Sequence, residues 1–173
     1  MESKRKVFIS YHHKDEYYKK EFEKLCGDFI INKSVQNGDI GTDLSTEYIK
    51  RLIQSPDYLR DASICVVLIG SETWGRKHID WEISGALDKK LSGYSGLVGI
   101  LLPDHPDYCN SGFQPENIPI RLLDNQKTGY AEIYNWTEYQ FGLKNILEEA
   151  FNKRIEKSYL IDNSRVQFSY NKN

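Results

Sequence analysis

Short apolar runs alternate along the chain with longer stretches whose apolar positions recur every three or four residues. Residues 6–11, KVFISY, are β-branched and aromatic and predict a buried first strand. Tyr18, Phe22, Leu25 and Cys26 then follow helical spacing, with Asp15 as the expected cap and Gly27 as the stop. DFII at 28–31 is a weaker strand signal, and NGDIGTD at 37–43 has the punctuation of a loop. Ile49, Leu52 and Ile53 mark a second helix that Pro56 ends. ASICVVLIG at 62–70 is the strongest strand signal, and its unbroken apolar run predicts a central strand covered on both faces.

The loop SETWG at 71–75 leads into a helix expected near 77–91, with Ile79, Ile83, Ala86, Leu87 and Leu91 on its apolar face. GLVGILLP at 96–103 predicts another buried strand. Residues 103–129 hold four of the five prolines and show no sustained period, so they read as a long irregular connection in place of a helix. AEIYNW at 131–136 is the last strand, and Thr137 with Gln140 suggests a capping box for a final helix bearing Tyr139, Leu143, Ile146, Leu147 and Ala150.

Strands alternating with amphipathic helices predict right-handed βαβ units. The expected fold is α/β, a flavodoxin-like three-layer sandwich with a central parallel sheet of about five strands in the order 2-1-3-4-5. Ligands of such sheets bind beyond the carboxyl ends of the strands where the chain reverses direction, here at HHKD (12–15) and SETWG (71–75). One domain is expected over 1–157. Residues 158–173 form a polar tail whose apolar residues lack a period, so it should add little to the core and be dispensable for folding.

Length and composition agree with one packed core: 173 residues, 39% apolar and 28% charged. A net charge of −2 argues against general affinity for nucleic acid or an anionic membrane. No apolar run approaches the length of a bilayer span and no leader-like segment opens the sequence, so a cytoplasmic protein is expected. Cys26, Cys65 and Cys109 lack CxxC spacing, which predicts neither disulfides nor a zinc site, and the first two read as core residues.

Walker loops, GxGxxG after the first strand, HExxH and GxSxG are all absent. His12 and His13 are adjacent on a loop and read as a solvated pair rather than metal ligands. Phe8, Ser10 and Tyr11 end the first strand, where they could line the cleft, and Trp74 could stack on a ring. Glu82 shares a helix with His78 and Trp81. On a helical wheel it falls at the border of the apolar face, a position usual for a solvated acid, yet it lies close to the switch-point loop. A border position predicts that Gln at 82 changes stability by no more than about 1 kcal/mol.

KVFISYHHKD, CVVLIGSETW and KHIDWEIS, in that order and spacing, resemble bacterial TIR and TIR-like domains, in particular the TIR-like component of Thoeris antiphage defence. The resemblance covers roughly residues 5–102. It implies cleavage of NAD, as substrate rather than cofactor, at the nicotinamide glycosidic bond, with Glu82 as the catalytic carboxylate and Phe8, Ser10, Tyr11, Trp74 and His78 as substrate-binding residues. No metal is implied. His78 stands where the family usually has Trp, and NGDIGTD replaces its proline-glycine loop. The family also implies a nucleotide signal, such as a cyclic ADP-ribose isomer or an ADP-ribose conjugate, that reaches a separate effector; a phage-derived trigger and an oligomer are both compatible with the sequence, which specifies neither. Alternatives are a non-catalytic interaction module and, more remotely, an FMN binder of flavodoxin type.

Overall fold

A computed structural model describes residues 3–34, 46–55 and 58–173. Five strands, β1 (Arg5–Ser10), β2 (Ile30–Asn32), β3 (Ile64–Ile69), β4 (Gly96–Leu101) and β5 (Glu132–Asn135), form one sheet in the order β2-β1-β3-β4-β5. All four pairings are parallel. Every residue of β3 is buried, as its continuous apolar run requires of a central strand. The loop at 37–43 and the helix stop at Pro56 lie outside the described residues.

Pleating sends alternate residues to opposite faces. Val7, Ile9, Val66 and Leu68 pack in one cluster with Phe22 of α1 (Glu16–Cys26) and Leu147 of α5 (Gln140–Glu156). Phe8, Cys65 and Val67 point the other way, into a cluster with Ile53 of α2 (Thr46–Ile53), Ile83 of α3 (Lys77–Leu87) and Leu122 of α4 (Ile120–Thr128). The result is the expected three-layer α/β sandwich. Cys26 and Cys65 are buried free thiols in these two layers, whereas Cys109 is exposed.

Several local expectations are corrected. Residues 103–129 contain α4, which ends at Gly129 with φ 88°. Its signal was hidden because two of its four buried residues are polar, Arg121 and Asn125, and both are buried through hydrogen bonds to the tail. The third helix stops at Leu87, and Leu91 is 99% exposed. Thr137 and Gln140 form no capping box: the Thr137 hydroxyl accepts from Tyr139 N–H at 3.1 Å, and Gln140 Nε2 donates to the Leu25 carbonyl at 2.9 Å. Tyr139 is exposed, and the buried face of α5 is Leu143, Leu147 and Ala150. Asp15 precedes α1 without capping it through its side chain.

The tail is irregular after a 3-10 turn at Ser158–Leu160, and none of its residues is buried. It nevertheless lies along α3 and α4. Asp162 N–H donates to Asn125 Oδ1 at 2.9 Å, and Trp81 Nε1 donates to the Phe168 carbonyl at 2.8 Å.

Candidate functional site

Strand alternation decides which side of the sheet Ser10 faces. Two residues after Phe8, it points toward α3, where its hydroxyl donates to Glu82 Oε2 across 72 residues of sequence. Glu82 is 6% exposed. Burial pushes its carboxyl up to about 8, with the Ser10 hydrogen bond opposing the rise. The border position read from the helical wheel is therefore a buried one. Sequence periodicity assigned the polar side of α3 to solvent, but every residue from Ile79 to Leu87 is buried.

Tyr11 and His78 complete this group. His78, one turn before Glu82, directs Nε2 at the Tyr11 carbonyl, 3.4 Å away, which assigns the proton to that nitrogen. Desolvation holds the imidazole below its ordinary value. Burial, followed by the charges of Glu16, Glu23 and Glu82, pushes the Tyr11 phenol up to about 12. Ser10, His78 and Glu82 thus come together at the carboxyl end of β1, and Tyr11 joins them through its carbonyl, its ring packing on the α1 side of the sheet near Lys19. Phe8 does not join them: it is 1% exposed and packs in the core behind α3. Trp74 is half-buried in the turn Thr73–Gly75, and among the described residues no hydrogen bond or ring contact ties it to Glu82.

A second polar group at the same strand ends was missed by sequence reading. His12 is 2% exposed rather than solvated, and its Nδ1 accepts from Lys14 N–H at 3.3 Å. Burial, with the positive charges of His13 and Arg76 nearby, holds it down to about 4. Asp15 is also buried, and desolvation together with Asp104 pushes its carboxyl up to about 6. The Thr73 hydroxyl lies 3.4 Å from Asp15 Oδ2 and accepts from Gly70 N–H at 3.0 Å. A Cβ at position 70 would run into the Asp15 carboxyl, so any larger residue there has to displace that side chain. A glycine directly after the central strand, opposite the acid that follows the first strand, was the available signal.

Among the described residues, no cluster of three or more His, Cys, Asp or Glu side chains is arranged to hold a metal ion. Nor is any described helix long and apolar enough to cross a membrane.

The profile of the Thoeris protein ThsB, TIR-like domain, matches residues 8–107, from within β1 to the connection before α4. The chain belongs to this ThsB TIR-like family. The match takes in both polar groups at the switch point and leaves out α4, β5, α5 and the tail. Comparison with curated proteins gave no match. Among solved structures, the TIR domains of the activated Roq1 resistosome directly recognizing the pathogen effector XopQ are similar at 13% identity and a TM-score of 0.41, over 92% of this chain and 93% of that one. That likeness is too distant to bear on chemistry. The family assignment rests on the profile match, and the parallel sheet with its 2-1-3-4-5 order is the fold expected of it.

Proposed function

We propose that this ThsB-family chain cleaves NAD at the nicotinamide glycosidic bond, with Glu82 as the catalytic carboxylate. The observation that carries this reading is the buried Glu82 carboxyl, held by Ser10 at the switch point and pushed up to about 8. Perturbed acids of this kind concentrate at functional sites.

Nicotinamide is cationic in NAD and departs neutral, so no general acid has to protonate it, unlike an ordinary glycoside leaving group. The protein's task is to stabilise positive charge developing on the ribose. Without substrate the carboxyl is mostly protonated at neutral pH; a cationic pyridinium beside it favours the anion, and binding expels the proton. Carboxylate and developing cation about 4 Å apart at an effective dielectric near 20 interact by about 4 kcal/mol. That corresponds to about a thousandfold in rate. Ser10 fixes the carboxyl's direction, while His78, anchored on the Tyr11 carbonyl, flanks the ribose and Trp74 offers a ring face at the rim. The buried setting limits access of bulk water, which suits attack by a group of the same substrate and hence formation of a cyclic ADP-ribose isomer or an ADP-ribose conjugate.

In this reading the product is a diffusible signal to a separate effector in the cytoplasm, made in response to a phage-derived trigger by a monomer or an assembled form. Nicotinamide release from NAD by the purified protein, with and without extract of infected cells, tests it. Release by wild type and loss in Glu82→Gln support it, and equal release by both proteins refutes Glu82's role. One feature favours the second reading, a non-catalytic interaction module: a neutral Glu82 paired with Ser10 satisfies a buried polar group without any substrate. No turnover under either condition would favour that reading.

A further inference from the structure

Helix α3 meets the sheet layer through Ile79, Ile83 and Ala86, all fully buried apolar contacts. Such contacts are non-directional and do not by themselves fix how far a helix slides or turns. Yet the Ser10–Glu82 hydrogen bond demands a definite position, since a slip of one residue moves a side chain by about 1.5 Å along the axis and about 100° around it.

Besides the Ser10–Glu82 and His78–Tyr11 contacts on the sheet side and the Arg121–Asp80 pair from α4, α3 carries a series of directional contacts on its opposite side, which the C-terminal segment supplies along the helix's length. At the first turn Lys77 N–H donates to Asn171 Oδ1 at 3.0 Å. At the second, Phe168 N–H donates to Asp80 Oδ2 and Trp81 Nε1 donates to the Phe168 carbonyl, each at 2.8 Å. Further on, Gln167 Nε2 donates to Ser84 Oγ, and Asn163 Nδ2 donates to the Ser84 carbonyl and to Asp88 Oδ1, all at 3.0 Å. Positions 77, 80, 81, 84 and 88 share one helix face, about 100–160° from Glu82 by the helical repeat of about 3.6 residues per turn. The segment also reaches the switch-point loop, where Lys172 N–H donates to the Gly75 carbonyl at 2.8 Å.

Buried Arg121 anchors the same segment to α4. Its Nε and Nη2 pair with Asp80 at 2.8 and 3.2 Å, and Nη1 donates to Asn163 Oδ1 at 2.9 Å and to the Arg165 carbonyl at 2.7 Å. The strap therefore connects α4, the outer face of α3 and the loop beside Trp74, and it lies outside the region that defines the family.

We propose that Asn163, Gln167 and Asn171 are positioning residues: their strap sets the axial and rotational position of α3 and thereby holds Glu82 against Ser10. The catalytic consequence rests on the NAD reading above, whereas the placement of Glu82 does not.

The test is a full-length variant carrying Asn163→Ala, Gln167→Ala and Asn171→Ala. None of the three side chains is buried, and Arg121 retains Asp80 and the Arg165 carbonyl, so the fold is preserved. The direct readout is the titration of the Glu82 carboxyl by carbon-detected NMR, checked against Glu82→Gln for assignment. Among the titratable groups near Glu82, Tyr11 and Cys65 are neutral over the range used because burial pushes both up, and His78, which desolvation holds below its ordinary value, is followed through its own ring protons in the same titration. The expected result is a midpoint at least one pH unit below that of wild type, as water reaches a displaced carboxyl. Faster exchange of the Trp81 indole N–H and at least tenfold lower kcat for nicotinamide release, with KM changed less, should accompany it. An unchanged Glu82 midpoint overturns the proposal even if the melting temperature falls, because a merely structural strap would lower stability alone. A shifted midpoint in a protein whose wild type releases no nicotinamide either with or without extract of infected cells supports the positioning and refutes the NAD reading.

Discussion

Replacing Glu82 by Gln should make the protein more stable at neutral pH and less stable in acid. The carboxyl is raised from an ordinary 4.5 to about 8 in the folded state. Below pH 4.5 it is protonated in both folded and unfolded chains, and burial carries no ionisation penalty. As pH rises, the unfolded chain releases the proton while the folded one retains it, so stability falls continuously until the folded carboxyl itself ionises near pH 8. At about 1.4 kcal/mol per pH unit, the wild type has lost about 3 kcal/mol at pH 7 relative to acid. Gln has no such loss. It does exchange a carboxylic O–H for an amide N–H2 whose donors need partners in the same space, at a cost of about 1 kcal/mol. The net expectation is a variant about 2 kcal/mol more stable at pH 7 and about 1 kcal/mol less stable at pH 4. Urea unfolding of both proteins at pH 4, 5.5 and 7 measures the difference directly. A difference that keeps one sign and size across this range would refute the reasoning, since it would mean that Glu82 titrates alike in the folded and unfolded chains. Greater stability together with lost nicotinamide release would identify a site that sacrifices stability for function.

Asp80→Ala should destabilise by about 3–5 kcal/mol, because it strands the buried Arg121 charge. The double change Asp80→Ala with Arg121→Met should be milder, and urea midpoints showing the double variant to be the weaker would contradict this. Gly96→Ala places a Cβ 2.1 Å from the Ala150 carbonyl, where backbone rather than a flexible side chain has to move. A loss of about 1–3 kcal/mol is expected, and a midpoint equal to wild type would show that β4 and α5 separate more easily than their packing implies. His12, held down to about 4, should show no titration of its ring protons by NMR between pH 8 and 5.5. Since the folded imidazole resists protonation, this residue withdraws stability as pH falls below about 6.5, and a midpoint above 6 would show that it is solvated after all.

The sequence alone determined the sheet. Continuous apolar runs can be satisfied only by strands covered on both faces, and helical periods between them leave little choice but right-handed crossovers, so β3 was recognisable as central and the 2-1-3-4-5 order followed. Ser10 and Tyr11 were legible as candidates because the end of a strand at a switch point is a short-range feature of the chain, whereas the roles of His78 and Glu82 came from the family resemblance. Burial of polar residues was not legible. Periodicity separates apolar from polar positions and assigns the polar ones to water, which fails wherever a distant segment supplies hydrogen bonds instead. Arg121 and Asn125 disguised α4 for this reason, being buried against Asp80 and the tail. Glu82 looked like a border acid for the same reason, since Ser10, the partner that holds its carboxyl, lies 72 residues earlier in the chain. Asp15 looked like a loop residue until Thr73 and Gly70 packed against it, and His12 looked solvated although the folded chain buries it. Local pattern fixes which elements form, because backbone propensity and apolar burial act over neighbouring residues. Which polar groups lose their water, and so acquire shifted pKa values, is decided only when remote parts of the chain meet.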